Sequence, residues 1–459
     1  MKNMTLTNIA KACGGRLYPD DNPQQEALGL VMDSRLIQKD YIFLASVGER
    51  VDGHSFIDEV FDKGALAVIC EKAPINPMGP YILVDSSLQA LKDIAAWYRT
   101  QLDIKVIGIT GSVGKTSTKE FISSVLAQKF KVLKTEGNYN NEIGLPLTLL
   151  KITEEHEVAV LEMGISNFGE MHRLSRIARP DICVLTNIGQ CHLENLGSRQ
   201  GILKAKSEIF DFMSENGFVC VNGDDDMLVT LQEVKNRRPI RFGLHQENDI
   251  FASDMINKGL FGSCCSIHAG NNTFMAEIPL PGSHMVLNAL AATAVGTLLE
   301  VTPDRIAYGI KAVKPVGGRS NIIRLEHYTV IDDCYNANPV SMKAALDLLS
   351  MADTRKVALL GDMGELGTNE ASLHREVGDY AVLSGVDLLV CIGQLSRNMY
   401  ESANTAIKKA SGSKRQEVLF FETRQELMDT LPDILKEGDT ILVKASHFMG
   451  FEQVVNAIR

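Results

Sequence analysis

Lys105-Val-Ile-Gly-Ile-Thr110-Gly-Ser-Val-Gly-Lys115-Thr-Ser117 reads as a buried strand, a glycine loop and the opening of a helix. Lys105–Ile109 is a short apolar run of the kind found in strands covered on both faces. Glycines at 111 and 114 let successive backbone N–H groups turn toward phosphate oxygens, and the helix N-terminus behind them adds a favourable dipole. Lys115 supplies a point charge for β/γ phosphates, and the Thr116 hydroxyl suits Mg²⁺. Ile109 stands where the usual phosphate-loop pattern has its first glycine, so the loop is a variant. A plain strand–helix turn with a surface lysine would share this outline, but Gly-Lys-Thr placed between strand and helix selects the phosphate loop. Gly111, Ser112, Val113, Gly114, Lys115, Thr116 and Ser117 are therefore the ATP-binding candidates.

The surroundings of the loop repeat the alternation. Strand candidates Val158–Leu161, Ile182–Leu185 and Phe218–Val221 each end at a polar or glycine-containing turn, and a helical pattern covers Thr116–Gln128. Strands alternating with helices predict a parallel α/β sheet, whose ligands gather at the carboxyl ends of the strands. Before it, apolar runs Tyr41–Ala45, Ala65–Cys70 and Tyr81–Val84 are punctuated by Gly, Pro and Asp, and a helix is expected over Leu88–Leu102. After it, the pattern breaks at Lys314-Pro-Val-Gly-Gly318, and strands are expected at Thr329–Ile331, Val357–Leu360, Leu388–Ile392 and Thr440–Val443. The expectation is three α/β domains, 1–103, 104–314 and 315–459, with the central one parallel-sheeted and carrying the phosphate loop.

Composition excludes several classes of function. The 459 residues exceed one ordinary core, and 45% hydrophobic with 22% charged content is that of a globular protein. A net charge of −11 argues against nucleic-acid partners, which need a basic surface. Nine Cys without metal-finger spacing point to a reducing compartment, and the Cys264–Cys265 pair reads as two buried small side chains rather than a disulfide. The N-terminus lacks a signal-peptide core, and the apolar stretch Met285–Leu299 is too short and interrupted to span a bilayer, so a cytoplasmic chain without membrane insertion is expected.

The variant loop resembles that of the Mur ligases and of their relative folylpolyglutamate synthetase. Further stretches carry the same resemblance over nearly the whole chain: Asn138-Tyr-Asn-Asn-Glu-Ile-Gly-Leu-Pro-Leu-Thr148, Glu162-Met-Gly164, Thr186-Asn-Ile-Gly189 with His192, Asp332-Asp-Cys-Tyr-Asn-Ala-Asn-Pro339, Gly361-Asp-Met-Gly-Glu-Leu-Gly367 and Asp33-Ser34-Arg35. The resemblance implies an N-terminal UDP-binding domain, a central ATP-binding domain and a C-terminal Rossmann-like domain. It implies an ATP-dependent amide ligase of peptidoglycan precursor synthesis that works through an acyl phosphate. The branch it points to joins UDP-N-acetylmuramoyl-tripeptide to D-alanyl-D-alanine, with ATP and Mg²⁺ as cofactors. A carboxylate is a poor electrophile until its oxygen becomes a leaving group, which is what phosphorylation provides.

Residue by residue, the resemblance implies Lys115, Lys206, Glu162 and His192 as catalytic, with Thr116, Glu162, His192 and Lys206 (as a carbamate) around Mg²⁺. Read alone, His192 is more simply structural and Lys206 a solvated helix lysine, with Lys204 a competitor two residues away. Asn288 matches an adenine contact, Arg319 an arginine directed at the γ-phosphate and Asp333 a ribose contact. Asn336 and Asn338 fit either nucleotide or acceptor. Ser34 and Arg35 match the UDP-sugar site, although a polar triplet is also an ordinary turn, and Asn138, Asn140 and Asn141 suit muramoyl and peptide groups. One departure stands out: the family often reads Lys-Gly-Ser-Arg where this chain has Lys444-Ala-Ser-His447. The candidate contacts are spread over all three segments, so a complete site requires them to converge, and three self-contained domains are compatible with a monomer.

Overall fold

Among the described residues, three β-sheets, each filled from one stretch of the chain, organise the molecule. The computed structural model describes residues 1–20, 24–48, 51–409 and 416–459. The first sheet has five strands, in the order Arg16–Tyr18, Tyr81–Leu83, Ala67–Cys70, Tyr41–Leu44 and Gly29–Val31, all parallel except the first. Helix Ser87–Thr100 follows it, started by Ser86, whose hydroxyl accepts from the Gln89 N–H.

The second sheet has nine strands. From one edge they run Val132–Lys134, Val158–Glu162, Lys105–Thr110, Ile182–Leu185, Phe218–Asn222, Ile240–Gly243 and Ile250–Asn257, all parallel. Ser263–Ala269 and Asn272–Ile278 then extend it antiparallel. The strand before the phosphate loop sits between Val158–Glu162 and Ile182–Leu185, where the winding of the chain changes direction. Such a switch point leaves a crevice beyond the strand ends. Helix Ser283–Leu298 is buried on nearly all sides, in keeping with its largely apolar sequence. None of the described helices is long and apolar enough to cross a membrane.

The third sheet has six strands, ordered Asn321–Arg324, Thr329–Asp332, Thr440–Lys444, Lys356–Gly361, Leu388–Ile392 and Glu417–Phe421, parallel except for the first pair.

Two expectations change. Cys265 is buried but Cys264 is only half-buried, because neighbouring residues of the strand Ser263–Ala269 point to opposite faces; both are free thiols. The first segment is also not self-contained. One continuous apolar cluster runs from Met4 and Ile9 through Tyr98 to Leu149, Leu174 and Val221. Across this junction the Tyr98 hydroxyl donates to Ile152 O at 2.6 Å, and Arg99 donates to Ala178 O at 2.9 Å.

Candidate active site

The phosphate loop is held from outside itself. Gly114 has φ +84 at the start of helix Lys115–Leu126, a conformation open to glycine. A Cβ on Gly111 would lie 1.9 Å from Thr186 Oγ1, so only glycine fits there. Thr186 and Asn187, just past the strand Ile182–Leu185, clamp the loop. Ser112 N–H donates to Asn187 O (3.0 Å), Val113 N–H to Asn187 Oδ1 (2.9 Å), and Val113 O accepts from Thr186 Oγ1 (2.7 Å). The first N–H groups of the following helix have no partners inside it and are free to meet an anion. Lys115 Nζ donates to Gly111 O at 2.9 Å.

Glu162 ends its strand 2% exposed. Its Oε2 accepts from Thr116 Oγ1 (2.9 Å) and its Oε1 from Asn140 Nδ2 (2.8 Å). Two donors on a buried carboxylate fix it beside the phosphate loop. Asn141 works locally: its Oδ1 accepts from Ile143 and Gly144 N–H groups at the start of the next helix.

Lys206 is not a solvated helix lysine. It is 1% exposed, whereas Lys204 on the same helix, Arg199–Ser207, is exposed. Burial pushes its amine down to about 8; Cys191 nearby acts in the opposite sense, and repulsion from Lys115 adds to the lowering. His192 has a left-handed backbone, φ 53, and lines the same cavity as the phosphate loop. Its Nδ1 is shielded from solvent and lies 2.5 Å from Glu365 Oε2, off the line of an aligned hydrogen bond.

Asn288 is 6% exposed rather than facing solvent, and its Oδ1 accepts from Thr118 Oγ1 on the phosphate-loop helix at 2.9 Å. Opposite, the C-terminal unit supplies the Arg319 guanidinium and a Lys444–Asp333 ion pair. The Arg319 guanidinium stacks 3.8 Å from the centre of the Tyr335 ring. Lys444 Nζ lies 2.5 Å from Asp333 Oδ2 and donates to Asn336 O at 2.9 Å, while Ser320 N–H donates to Asp333 Oδ1 at 2.9 Å. Asn338 caps helix Pro339–Ser350 in a reciprocal pair with Ser341. His447 is largely exposed and lies beside Tyr335, ring centres 5.3 Å apart.

One cavity of about 860 Å³ collects these groups. Ser112–Ser117, Asn140, Asn141, Glu162, His192 and Asn288 face it from the central unit, and Arg319, Asp333, Asn336 and Asn338 from the C-terminal unit. Gly111, Ser34, Arg35, Asn138 and Lys206 are not among its lining. Ser34 and Arg35 form a short turn in which Asp33 accepts from Arg35 at 2.6 Å, and that guanidinium holds the Asp33 carboxyl down at about 2. Asn187, His284, Tyr335 and Lys444 were not singled out for a role in the sequence. Asn187 and Lys444 each sit at the carboxyl end of a strand, which was the available signal.

Three family descriptions match the chain in order: "Mur ligase family, catalytic domain" over 27–99, "Mur ligase middle domain" over 109–296 and "Mur ligase, glutamate ligase domain" over 318–447. A UDP-N-acetylmuramoyl-tripeptide–D-alanyl-D-alanine ligase of Bacillus subtilis is 38% identical, covering 99% of this chain and 98% of its own. The Escherichia coli enzyme of the same name is 34% identical over 100% and 99%. Among solved structures, MurF from Acinetobacter baumannii superposes with TM-score 0.88 at 32% identity, covering 98% of both chains. MurF ligase from Thermotoga maritima in complex with ADP gives 0.80 at 30%, over 94% of this chain and 96% of that one. Matched end to end in sequence and in fold, the chain belongs to the Mur ligase family.

Proposed function

We propose that this enzyme joins D-alanyl-D-alanine to UDP-N-acetylmuramoyl-tripeptide, forming UDP-N-acetylmuramoyl-pentapeptide, ADP and phosphate, in peptidoglycan precursor synthesis. The observation that carries this reading is a cavity in which a clamped phosphate loop faces the Arg319 guanidinium and the Lys444–Asp333 ion pair of the C-terminal unit. Relatives named for this reaction, and an ADP complex of one structural neighbour, support the same substrates and nucleotide.

An oxygen of the tripeptide's terminal carboxylate attacks the γ-phosphorus and ADP leaves, giving an acyl phosphate. The dipeptide amine attacks the carbonyl carbon, phosphate departs with the bonding electron pair, and the amine proton is lost. The enzyme's work is placement and charge stabilisation. Lys115 exchanges Gly111 O for phosphate oxygens, joined by the N–H groups of Gly114–Ser117 at the start of the helix. Arg319 neutralises the transferring phosphoryl group from the opposite wall. Asn288 contacts adenine and Asp333 the ribose. Asn336 and Asn338 contact nucleotide or acceptor. Asn138, Asn140 and Asn141 meet the muramoyl-peptide, and Ser34 and Arg35 the UDP-sugar.

Thr116 and the fixed Glu162 carboxylate offer hard oxygen donors beside the phosphate loop, a set that would hold Mg²⁺. His192, which lines the cavity, and Lys206, were it to carry a carbamate, would complete this set. Bound there, Mg²⁺ would supply charge neutralisation on the phosphoryl oxygens. The division 1–103, 104–314 and 315–459, supported by the three separate sheets, gives the UDP-binding, ATP-binding and C-terminal domains. A cytoplasmic monomer goes with this reading, and freedom from nucleic acid with the net charge of −11. The test is product mass after incubation with ATP, D-alanyl-D-alanine and a UDP-tripeptide ending in lysine or in diaminopimelate. Pentapeptide from neither tripeptide refutes the assignment.

A further inference from the structure

We propose that Glu365 is a positioning residue that reaches from the C-terminal unit to hold the His192 imidazole toward the nucleotide-bound cation. The inference rests on the reading of His192 as a cation ligand.

The two residues are far apart in sequence and belong to different sheets. His192 follows the strand Ile182–Leu185 and starts the short helix Leu193–Leu196. Glu365 follows the strand Lys356–Gly361. Glu365 Oε2 lies 2.5 Å from His192 Nδ1, the ring nitrogen sealed from solvent, while His192 lines the cavity and Glu365 does not. The imidazole therefore stands between the carboxylate and the cavity. Both backbones are left-handed, φ 53 and φ 59, uncommon for residues with a Cβ and maintained only where the surroundings dictate it. The loops also meet beside this contact: a Cβ on Gly367 would lie 3.5 Å from Glu194 Cα.

A metal-ligating histidine needs its second nitrogen anchored, commonly by a carboxylate, to fix the direction of the first. Here the anchor is borrowed from another unit of the chain. The imidazole is fully oriented only while the C-terminal unit is apposed to the central one, so cation affinity becomes tied to closure of the cavity in which the acyl phosphate forms. Closure excludes water from a hydrolysable intermediate.

The experiment measures Mn²⁺ affinity by electron paramagnetic resonance, on the full chain with ADP and UDP-tripeptide bound. The variants are Glu365→Gln, His192→Ala and the double variant. Glu365 has a side chain 56% exposed, so Gln keeps the fold; thermal unfolding checks this, and Glu365→Ala provides a second measurement. The expected result is that Glu365→Gln weakens Mn²⁺ binding about 10–100-fold and adds no further loss in the His192→Ala background. A loss of similar size in that background would mean that Glu365 acts independently of His192 and overturns the proposal. So does unchanged affinity in Glu365→Gln while His192→Ala weakens binding. Unchanged affinity in His192→Ala removes the reading of His192 itself, and the proposal with it.

Discussion

Replacing Lys444 by Met removes the cation from a buried cluster while keeping most of its volume. Lys444 and Asp333 side chains are 3% and 12% exposed, and the ammonium serves Asp333 Oδ2 at 2.5 Å and Asn336 O at 2.9 Å. In the variant, Asp333 keeps the Ser320 N–H at 2.9 Å but otherwise becomes a nearly buried, unpaired carboxylate. Removing one partner of a buried pair costs about 3–5 kcal/mol. Asp333 faces the cavity, where water can reach it, so the lower end, about 3 kcal/mol, applies. For a unit of roughly 150 residues, each kcal/mol is about 2–4 °C, so the C-terminal transition should fall by about 6–12 °C. Scanning calorimetry of the full chain reads this directly. The double variant Lys444→Met with Asp333→Leu should recover most of the loss, because an apolar pair of similar volume avoids the stranded charge. A drop of less than about 2 °C in the single variant, below 1 kcal/mol on this scale, refutes the claim that this pair holds the wall of the cavity.

Lys115→Ala should abolish substrate-dependent phosphate release, since backbone amides alone do not replace the cation at the β/γ phosphates; release near the parental rate sinks the phosphate-loop reading. Lys206→Ala should be nearly inactive and partly restored by short carboxylates standing in for the carbamate, and full activity without additive ends that assignment. His374 is 0% exposed, accepts the Met363 N–H on Nε2 at 3.0 Å and donates from Nδ1 to Glu370 O at 2.7 Å, and burial lowers its pKa. An unfolded histidine binds a proton near pH 6.5 while this one resists it, so its stabilising contribution is present above about pH 6.5 and is lost as pH falls. Urea unfolding between pH 7 and 5 should show a steeper loss for the parent than for His374→Gln, and parallel slopes would contradict it.

The sequence by itself determined the strand–loop–helix at the phosphate loop and the parallel α/β character of the sheets. Ile182–Leu185 and Leu388–Ile392 are strands to the residue, and the structure adds a residue or two at ends such as Thr110, Glu162 and Lys444. These features are legible because buried strands and glycine turns are written in adjacent residues. The edge strands were not legible. Ser263–Ala269 and Asn272–Ile278 bury only alternate residues, several of them small (Cys265, Ala269, Ala276), and Met275 sits on the exposed face, so their apolar signal is diluted. Tertiary structure alone decided the fate of polar side chains. Lys206 is buried and Lys204 exposed on one short helix, and Asn288 is turned inward against Thr118. The His192–Glu365 contact depends on two sheets being apposed. A helix or strand is specified by its neighbours in sequence, but whether a charge is buried, and beside what, depends on which distant segment packs over it. That is why the chemistry-bearing residue types could be named from the sequence while their environments could not.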